Sequence, residues 1–238
     1  MIRTIFAVIF IALFLILSSP LMAFEYFYHK KHPKEADLQS LHIVQWAFKV
    51  VLFICGTTYD IEGMEKIPKD QGVLFVANHI SMFDVVLVYS LLPYATGFVS
   101  KDGVLKVPLL RVWMRRLHCL FLDRENPRSG MQMILDSIES IKSGISIFIF
   151  PEGTRSKTGE LLEFKPGAVK AASKIGCPII PIAIKGTRDV LENHFPRVKK
   201  AHATVTFLDP VYPETLEGDQ KKHLAAYVHD LIAEELTH

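Results

Sequence analysis

The chain has 238 residues, of which 50% are hydrophobic, and its formal net charge is only +2. Such a small net charge provides no general attraction for nucleic acid, so any basic site must be argued from particular residues. Cys55, Cys119 and Cys177 are too few and too scattered for a disulfide framework or a zinc site. The length is sufficient for one α/β domain of about 200 residues with a single core.

The N-terminus carries a long apolar segment. Ile5 to Leu17 are apolar without interruption, Arg3 precedes them, and apolar character resumes at Leu21 to Phe24. Two interpretations fit this pattern. The segment could be a signal peptide that ends near Ala23, or a membrane helix of about 20 residues.

A second apolar stretch, from Leu41 to Cys55, favours the membrane interpretation. As a helix it would be too short for a full span. His42, Gln45 and Lys49 would share one stripe of that helix, which suits a helix lying in the membrane interface. We therefore predict a monotopic or re-entrant helical pair. A spanning first helix and a simple core helix at Leu41–Cys55 are the alternatives.

The connector between the two apolar stretches is basic and contains His29, Lys30, Lys31, His32 and Lys34. The positive-inside tendency would place this connector on the cytoplasmic side of a membrane. The shortness of the chain favours a bacterial protein. We therefore expect a location at the cytoplasmic face of a bacterial plasma membrane, with residues 1–56 as the membrane-associated segment and residues 57–238 as the catalytic domain.

From Thr57 onward, short apolar runs alternate with helical segments. The apolar runs predict strands at Thr58–Glu62, Gly72–Ala77, Gly97–Lys101, Cys119–Leu122, Ser146–Phe150, Ile179–Ile184 and Ala203–Phe207. Helices are predicted at Phe83–Leu91, Val107–Arg116, Pro127–Ser143, Ala168–Ile175 and Lys221–Thr237. This alternation predicts an α/β fold with a largely parallel central sheet of about seven strands, flanked by helices and preceded by the hydrophobic helical pair.

Polar residues follow the predicted strand at Gly72–Ala77. His79 leaves the strand end, where parallel sheets carry functional groups, and Asp84 comes shortly after it. With Ser81 as a helix N-cap, the Asp84 carboxylate could bind one nitrogen of His79 and leave the other nitrogen free as a base. Because no nucleophilic Ser or Cys adjoins the pair, the nucleophile would be a substrate hydroxyl. The alternative is that both residues merely cap a helix.

A second polar turn follows the predicted strand at Ser146–Phe150 and reads Pro151-Glu152-Gly153-Thr154-Arg155. Gly153 permits close approach to the backbone, and Arg155 suits bidentate phosphate binding. A solvated surface turn is the alternative. It would not explain why two strand ends carry matched polar turns.

These two turns resemble the paired motifs of the glycerolipid acyltransferase family, which includes the bacterial 1-acyl-glycerol-3-phosphate acyltransferases. The matching residues are Asn78-His79-x4-Asp84 and Phe150-Pro151-Glu152-Gly153-Thr154-Arg155. Further resemblance lies in Lys101, Lys106-Val107-Pro108, Phe121-Leu122-Asp123-Arg124, Phe164-Lys165-Pro166-Gly167-Ala168 and Pro178-Ile179-Ile180-Pro181-Ile182. The resemblance extends from about Gly56 to Pro210.

The resemblance implies acyl transfer to lysophosphatidic acid, which would yield phosphatidic acid for phospholipid synthesis. His79 would be the general base and Asp84 its orienting partner. The acceptor phosphate site would be formed by Lys101, Arg124, Glu152, Gly153, Thr154 and Arg155. The supporting motif residues would be Asn78, Ser81, Pro151, Pro178 and Pro181.

The resemblance also implies the reaction partners. The donor would be acyl-CoA or an acyl carrier protein thioester, and the acceptor a membrane lysophospholipid. No metal, bound cofactor or nucleic acid is expected. Backbone N–H groups near the helix start after Ser81 are candidate donors to the oxyanion of the reaction.

Two residues depart from the family pattern, because Arg111 and His118 stand where glycine is usual. We interpret Arg111 as a surface residue and His118 as a packing substitution. They leave the acceptor open, so glycerol-3-phosphate and other lysophospholipids are alternatives. A non-catalytic membrane lipid-binding protein is the alternative from a different functional class.

Overall fold

The computed structural model describes residues 1–237, and a central sheet organises its second part. The strands are β1 Thr57–Glu62, β2 Leu74–Ala77, β3 Thr96–Lys101, β4 Leu120–Leu122, β5 Ser146–Ile149, β6 Ile179–Lys185 and β7 Ala201–Phe207. Within the described residues they form one seven-stranded sheet in the order β1-β7-β6-β2-β5-β3-β4. The predicted α/β sheet of about seven strands is confirmed.

The sheet is mostly parallel. All neighbouring strands from β6 to β4 pair in parallel, and so do β1 and β7, whereas β6 and β7 pair antiparallel. The central strand β2 is buried on both faces, with Phe75 and Val76 fully inaccessible to solvent. Burial on both faces explains why β2 appears in the sequence as a continuous apolar run.

The helices are α1 Ile2–Leu17, α2 Ser19–His29, α3 Pro33–Cys55, α4 Phe83–Tyr89, α5 Pro108–Arg116, α6 Pro127–Lys142, α7 Lys170–Ile175, α8 Gly218–Lys222 and α9 Leu224–Thr237. The helix predicted at Ala168–Ile175 begins at Lys170, because Pro166–Val169 forms a 3₁₀ turn. The helix predicted at Lys221–Thr237 is divided at His223, whose backbone leaves the helical region at φ −115° and ψ 42°.

The N-terminal hydrophobic segment forms three helices within residues 1–55 rather than a simple pair. Pro20 lies at the start of α2, where its missing N–H interrupts the helical hydrogen bonding, and α1 and α2 meet at a 47° bend. The second predicted helix begins at Pro33 instead of Leu41. By length and composition, α3 could cross a membrane, and so could the bent pair taken as one span. Core helices and signal sequences share these properties.

One face of α3 belongs to the core of the protein. Leu41 and Val51 are buried in the same cluster as Phe75. Gln45 donates hydrogen bonds from Nε2 to the carbonyl oxygens of Tyr89 and Leu92 at 3.2 and 2.7 Å. Gln45 therefore satisfies carbonyl groups at and just after the end of α4, and of the predicted stripe only His42 and Lys49 are exposed.

Polar contacts attach the N-terminal helices to α5. Arg116 Nη1 lies 3.1 Å from Asp37 Oδ1 of α3, and His118 Nε2 lies 3.1 Å from the same oxygen. His118 has a left-handed backbone with φ +56°, which accounts for glycine being usual at this position. His118 thus contacts α3, in agreement with its interpretation as a packing residue. Arg111 is partly exposed on α5.

Candidate active site

Four neighbouring parallel strands carry predicted site residues to the same edge of the sheet. His79 follows β2, Glu152 follows β5, Lys101 ends β3 and Arg124 follows β4. Because these strands are adjacent in the order β2-β5-β3-β4, their carboxyl ends meet. A cavity of about 610 Å³ opens there, and its lining includes His79, Lys101, Arg124, Gly153 and Thr154.

His79 and Asp84 form the hydrogen-bonded pair that the sequence predicted. His79 Nδ1 lies 2.9 Å from Asp84 Oδ2. The His79 ring stacks on Phe150, with ring centroids 4.0 Å apart and planes 18° from parallel. The carboxylate and the stacked ring fix the imidazole, so Nε2 is the nitrogen left for a substrate in the cavity that His79 lines.

Asp84 is fully buried and is held by three further donors. Oδ2 also accepts the backbone N–H groups of Ile80 and Ser81, each at 2.7 Å. Oδ1 accepts the Thr187 hydroxyl at 2.5 Å. Together with His79, these donors compensate for the burial of the carboxylate and fix its orientation. The sequence interpretation missed Thr187, whose only signal is its position just after β6, the strand beside β2.

The start of α4 lies one residue later than the predicted cap at Ser81 implies. Met82 precedes the helix, and the Ser81 hydroxyl accepts the Phe83 N–H at 3.0 Å. The Ser81 and Met82 N–H groups donate to Asp84 and Glu192 respectively. The N–H groups of Met82 and Phe83, which follow Ser81, therefore already have acceptors within the protein, and the oxyanion donors stay a prediction.

The supporting motif residues hold the strand ends. The fully buried Asn78 side chain donates to the Ile184 carbonyl at 2.9 Å and accepts the Ile184 N–H at 2.8 Å. This paired bond extends the contact between β2 and β6 past the end of the ladder. Pro181 of β6 pairs with Val76 of β2, and the Pro178 carbonyl accepts the Leu74 N–H at 3.0 Å.

Glu152 is a buried carboxyl group that holds the backbone of the histidine. Its side chain Oε1 accepts the His79 N–H at 2.7 Å, whereas Oε2 lacks a hydrogen-bond partner within residues 1–237. Burial raises the pKa of Glu152 to about 7, although the His79 N–H lowers it. Glu152 therefore contributes to the position of His79, in addition to any part in shaping the acceptor site.

Glu152→Gln is expected to change how stability depends on pH. The folded pKa of about 7 lies above the unfolded value of 4.5, so protonation favours the folded state. This contribution is complete below pH 4.5 and is lost as the pH rises through 7. The variant should therefore gain stability relative to the natural chain between those values. Unfolding free energies measured across this range would test the prediction, and equal pH dependence of the two proteins would contradict it.

Gly153 is favoured by the left-handed backbone of the turn after β5. Its backbone has φ +69°, and a Cβ atom there would lie 2.7 Å from Lys165 Nζ. Any side chain would thus be strained and would displace Lys165. Lys165 lines the active-site cavity and adds a cation that the sequence interpretation did not assign to the site. The Pro151 carbonyl accepts the Lys165 N–H at 3.0 Å and fixes the start of this segment.

Arg155 forms an ion pair with Glu192 and, unlike Lys101 and Arg124, is not among the residues that line the cavity. Arg155 Nη1 lies 3.1 Å from Glu192 Oε1. Glu192 also accepts the Ser81 hydroxyl at 2.6 Å and the Met82 N–H at 2.8 Å. Arg155 therefore braces the turn between His79 and Asp84 through Glu192, a residue that the sequence interpretation missed.

Comparison with known proteins agrees with this geometry. Residues 58–185, more than half of the chain, match a family model described as Acyltransferase. The chain belongs to the acyltransferase family. It is 30% identical over 189 residues to the 1-acyl-sn-glycerol-3-phosphate acyltransferase of Cocos nucifera, covering 79% of this chain and 61% of that protein. Identity to the Haemophilus influenzae enzyme of the same name is 29%, covering 76% of this chain and 78% of that protein. The family predicted from the two polar turns is confirmed.

This acyltransferase also shares its fold with a solved bacterial structure. The crystal structure of the 1-acyl-sn-glycerophosphate (LPA) acyltransferase PlsC from Thermotoga maritima aligns with a TM-score of 0.85 and 26% identity. The alignment covers 99% of this chain and 95% of that one, so it includes the N-terminal helices. The chain covers a smaller share of the plant relatives, between 37 and 66% of their own length.

Proposed function

We propose that this acyltransferase moves a fatty acyl group from an acyl-CoA or acyl carrier protein thioester to the sn-2 hydroxyl of 1-acyl-glycerol-3-phosphate, forming phosphatidic acid. The observation that carries the proposal is one cavity that joins His79 to the cations Lys101 and Arg124 and to apolar walls. Lysophosphatidic acid has the matching parts: a free hydroxyl, a phosphate and an acyl chain. Relatives from two kingdoms carry the name of this activity.

The proposed reaction begins at the free nitrogen of His79. Nε2 takes the proton of the acceptor hydroxyl as its oxygen attacks the thioester carbonyl carbon. Asp84 holds the Nδ1–H and stabilises the imidazolium that forms. The tetrahedral intermediate then collapses, the C–S bond breaks, and the proton passes from Nε2 to the departing sulfur. The thioester is a co-substrate, and the proposal includes no metal or bound cofactor.

The acceptor phosphate is proposed to bind at Lys101 and Arg124, with Lys165 as a third cation of the same cavity. These cations come from three different segments of the chain yet line the same cavity. The apolar walls beside them include Phe98, Met131, Met133 and Ile134. These residues would contact the acyl chain once the headgroup is bound, because removing apolar surface of both the chain and the wall from water is favourable.

Arg124→Ala is expected to raise the KM for lysophosphatidic acid by about 10–100-fold, because a charged hydrogen bond to phosphate is lost. Arg155→Ala is the matched variant, since it removes the same side chain at a position paired with Glu192. We expect it to lower kcat more than it raises KM, through the loosened turn at His79. Steady-state kinetics of both variants would test this. A larger KM effect for Arg155→Ala would place the phosphate at Arg155 instead.

The test of the proposed function is acyl transfer by the purified full-length chain with a radiolabelled donor. Lysophosphatidic acid, glycerol-3-phosphate and other lysophospholipids would compete as acceptors, with acyl-CoA and acyl carrier protein thioesters as donors. Preferred labelling of phosphatidic acid supports the proposal. Preference for glycerol-3-phosphate would assign a different acceptor. Binding of lysolipid without turnover would indicate a non-catalytic lipid-binding protein.

We further propose that the N-terminal helices attach the protein to the cytoplasmic face of a bacterial plasma membrane. The support is an extensive exposed apolar surface on these helices, with large side chains at Ile5, Phe6, Val8, Ile9, Phe24, Phe27, Trp46 and Phe53. Apolar patches of this kind mark membrane contacts. Flotation of the purified chain with anionic phospholipid vesicles would test the attachment, and failure to float would contradict it.

A further inference from the structure

A second groove, of about 490 Å³, lies beside the active-site cavity. Its volume falls within the range of roughly 300–1,000 Å³ that is usual for small-molecule sites. The buried part of its lining is apolar and includes Phe164, Val169 and Leu224, and the exposed Pro166 adds to the apolar lining. The rim is cationic and carries Lys170, Lys221, Lys222, His223 and His229. The groove thus combines an apolar floor with a positively charged edge.

The two cavities share one wall. The segment from residue 163 to 170 contributes Lys165, Gly167 and Ala168 to the active-site cavity, and Phe164 and Pro166 to the groove. Lys170 lines both. The groove and the cavity that contains His79 therefore lie next to each other and meet at Lys170.

The lysines at the rim are available to a ligand. Lys170, Lys221 and Lys222 are exposed, and in the described part of the chain none lies within 4.0 Å of a carboxylate oxygen as an ion pair. Glu163 contributes one carboxylate to the lining. His229 is less available, because its Nδ1 lies 3.0 Å from Asp230 Oδ1. The lysines therefore leave an excess of positive charge at the rim.

We propose that this groove binds the phosphorylated adenine nucleotide of a coenzyme A thioester. This inference rests on the proposed function, which requires a thioester donor at His79. The lysines would bind the phosphate groups, since an ammonium group is a point charge suited to them. The adenine ring would lie on the apolar side near Pro166, and the pantetheine arm would pass Lys170 into the active-site cavity.

An acidic carrier protein is the competing occupant of this rim. A concave groove with an apolar floor favours a planar base with attached phosphates, because a protein surface would contact the rim and leave the floor unfilled. Competition by a free adenine nucleotide distinguishes the two occupants. A carrier protein thioester contains no adenine nucleotide, so the free nucleotide would not compete with it.

The test uses the double variant K221E/K222E in the full-length chain. We expect at least about a tenfold increase in the KM for palmitoyl-CoA. The KM for palmitoyl-pantetheine, which has the same thioester and no nucleotide, should not change, and neither should the KM for lysophosphatidic acid. The matched control is K69E/K142E, which makes the same change in charge at exposed sites before the amino ends of β2 and β5. K221Q/K222Q serves as a milder variant if α8 does not tolerate charge reversal.

Binding of adenosine 3′,5′-bisphosphate by calorimetry provides a measurement that is independent of turnover. The natural chain should bind this nucleotide, and K221E/K222E should bind it at least about tenfold more weakly. An unchanged palmitoyl-CoA KM, or an equal increase for palmitoyl-pantetheine, would overturn the groove assignment. So would a higher KM for the carrier protein thioester alone. Nucleotide binding without any acyl transfer would leave the groove standing and reject the proposed function.

Discussion

His79→Ala is expected to lower kcat for acyl transfer by about 10²–10⁴-fold, the usual contribution of a general base. The fold should survive the change. The His79 side chain is 20% exposed, and its removal leaves Asp84 with the donors Ile80, Ser81 and Thr187. The buried carboxylate thus keeps most of its hydrogen bonds. The loss should therefore appear in the chemical step and not in the amount of folded protein.

The control for this experiment is His202→Ala. His202 also forms a histidine–aspartate pair, with Nε2 3.2 Å from Asp60 Oδ2, but it is exposed on β7. Both variants remove an imidazole, and only one removes it from the cavity. Initial rates should be measured alongside circular dichroism for each. A folded His79→Ala protein with near-normal transfer would refute His79 as the base.

The predictable parts of the fold are those that depend on the order of apolar and turn residues within a short stretch of the sequence. β2 and β5 are continuous apolar runs because both strands are covered on their two faces. Turn residues bound each run and mark where the strand begins and ends. The strand ends then placed His79 and Glu152 at one edge, since parallel strands present their carboxyl ends together. Periodicity and topology were sufficient to predict that these two turns meet.

The parts that were not predictable depend on contacts between distant segments. Thr187 and Glu192 lie more than 100 positions from their partners Asp84 and Ser81, and neither carries a local signal. The direction of Arg155 was equally hidden, because it depends on where the Glu192 turn lies. Local chemistry thus predicted His79 as the base, whereas the groups that hold this side chain in place required the assembled fold.

Asp84→Asn is expected to separate the charge of the carboxylate from its hydrogen bonds. An amide oxygen at the Oδ2 position can still accept from His79, Ile80 and Ser81. The amide nitrogen can then donate to the Thr187 hydroxyl, which is able to reverse its role. All contacts are kept and only the negative charge is lost. We expect a nearly unchanged thermal midpoint, and a kcat lowered by about 100-fold or more because the imidazolium loses its counter-ion.

Asp84→Ala removes both the charge and the acceptor. The buried N–H groups of Ile80 and Ser81 and the Thr187 hydroxyl would then lack partners, at a cost of about 1–3 kcal/mol each. The total of at least roughly 3 kcal/mol corresponds to a fall of about 6 °C or more in the thermal midpoint for a chain of this size. Thermal unfolding and kinetics of both variants would test the argument. Equal destabilisation by Asn and Ala would mean that charge holds the turn, and a normal kcat for Asp84→Asn would rule out stabilisation of the imidazolium.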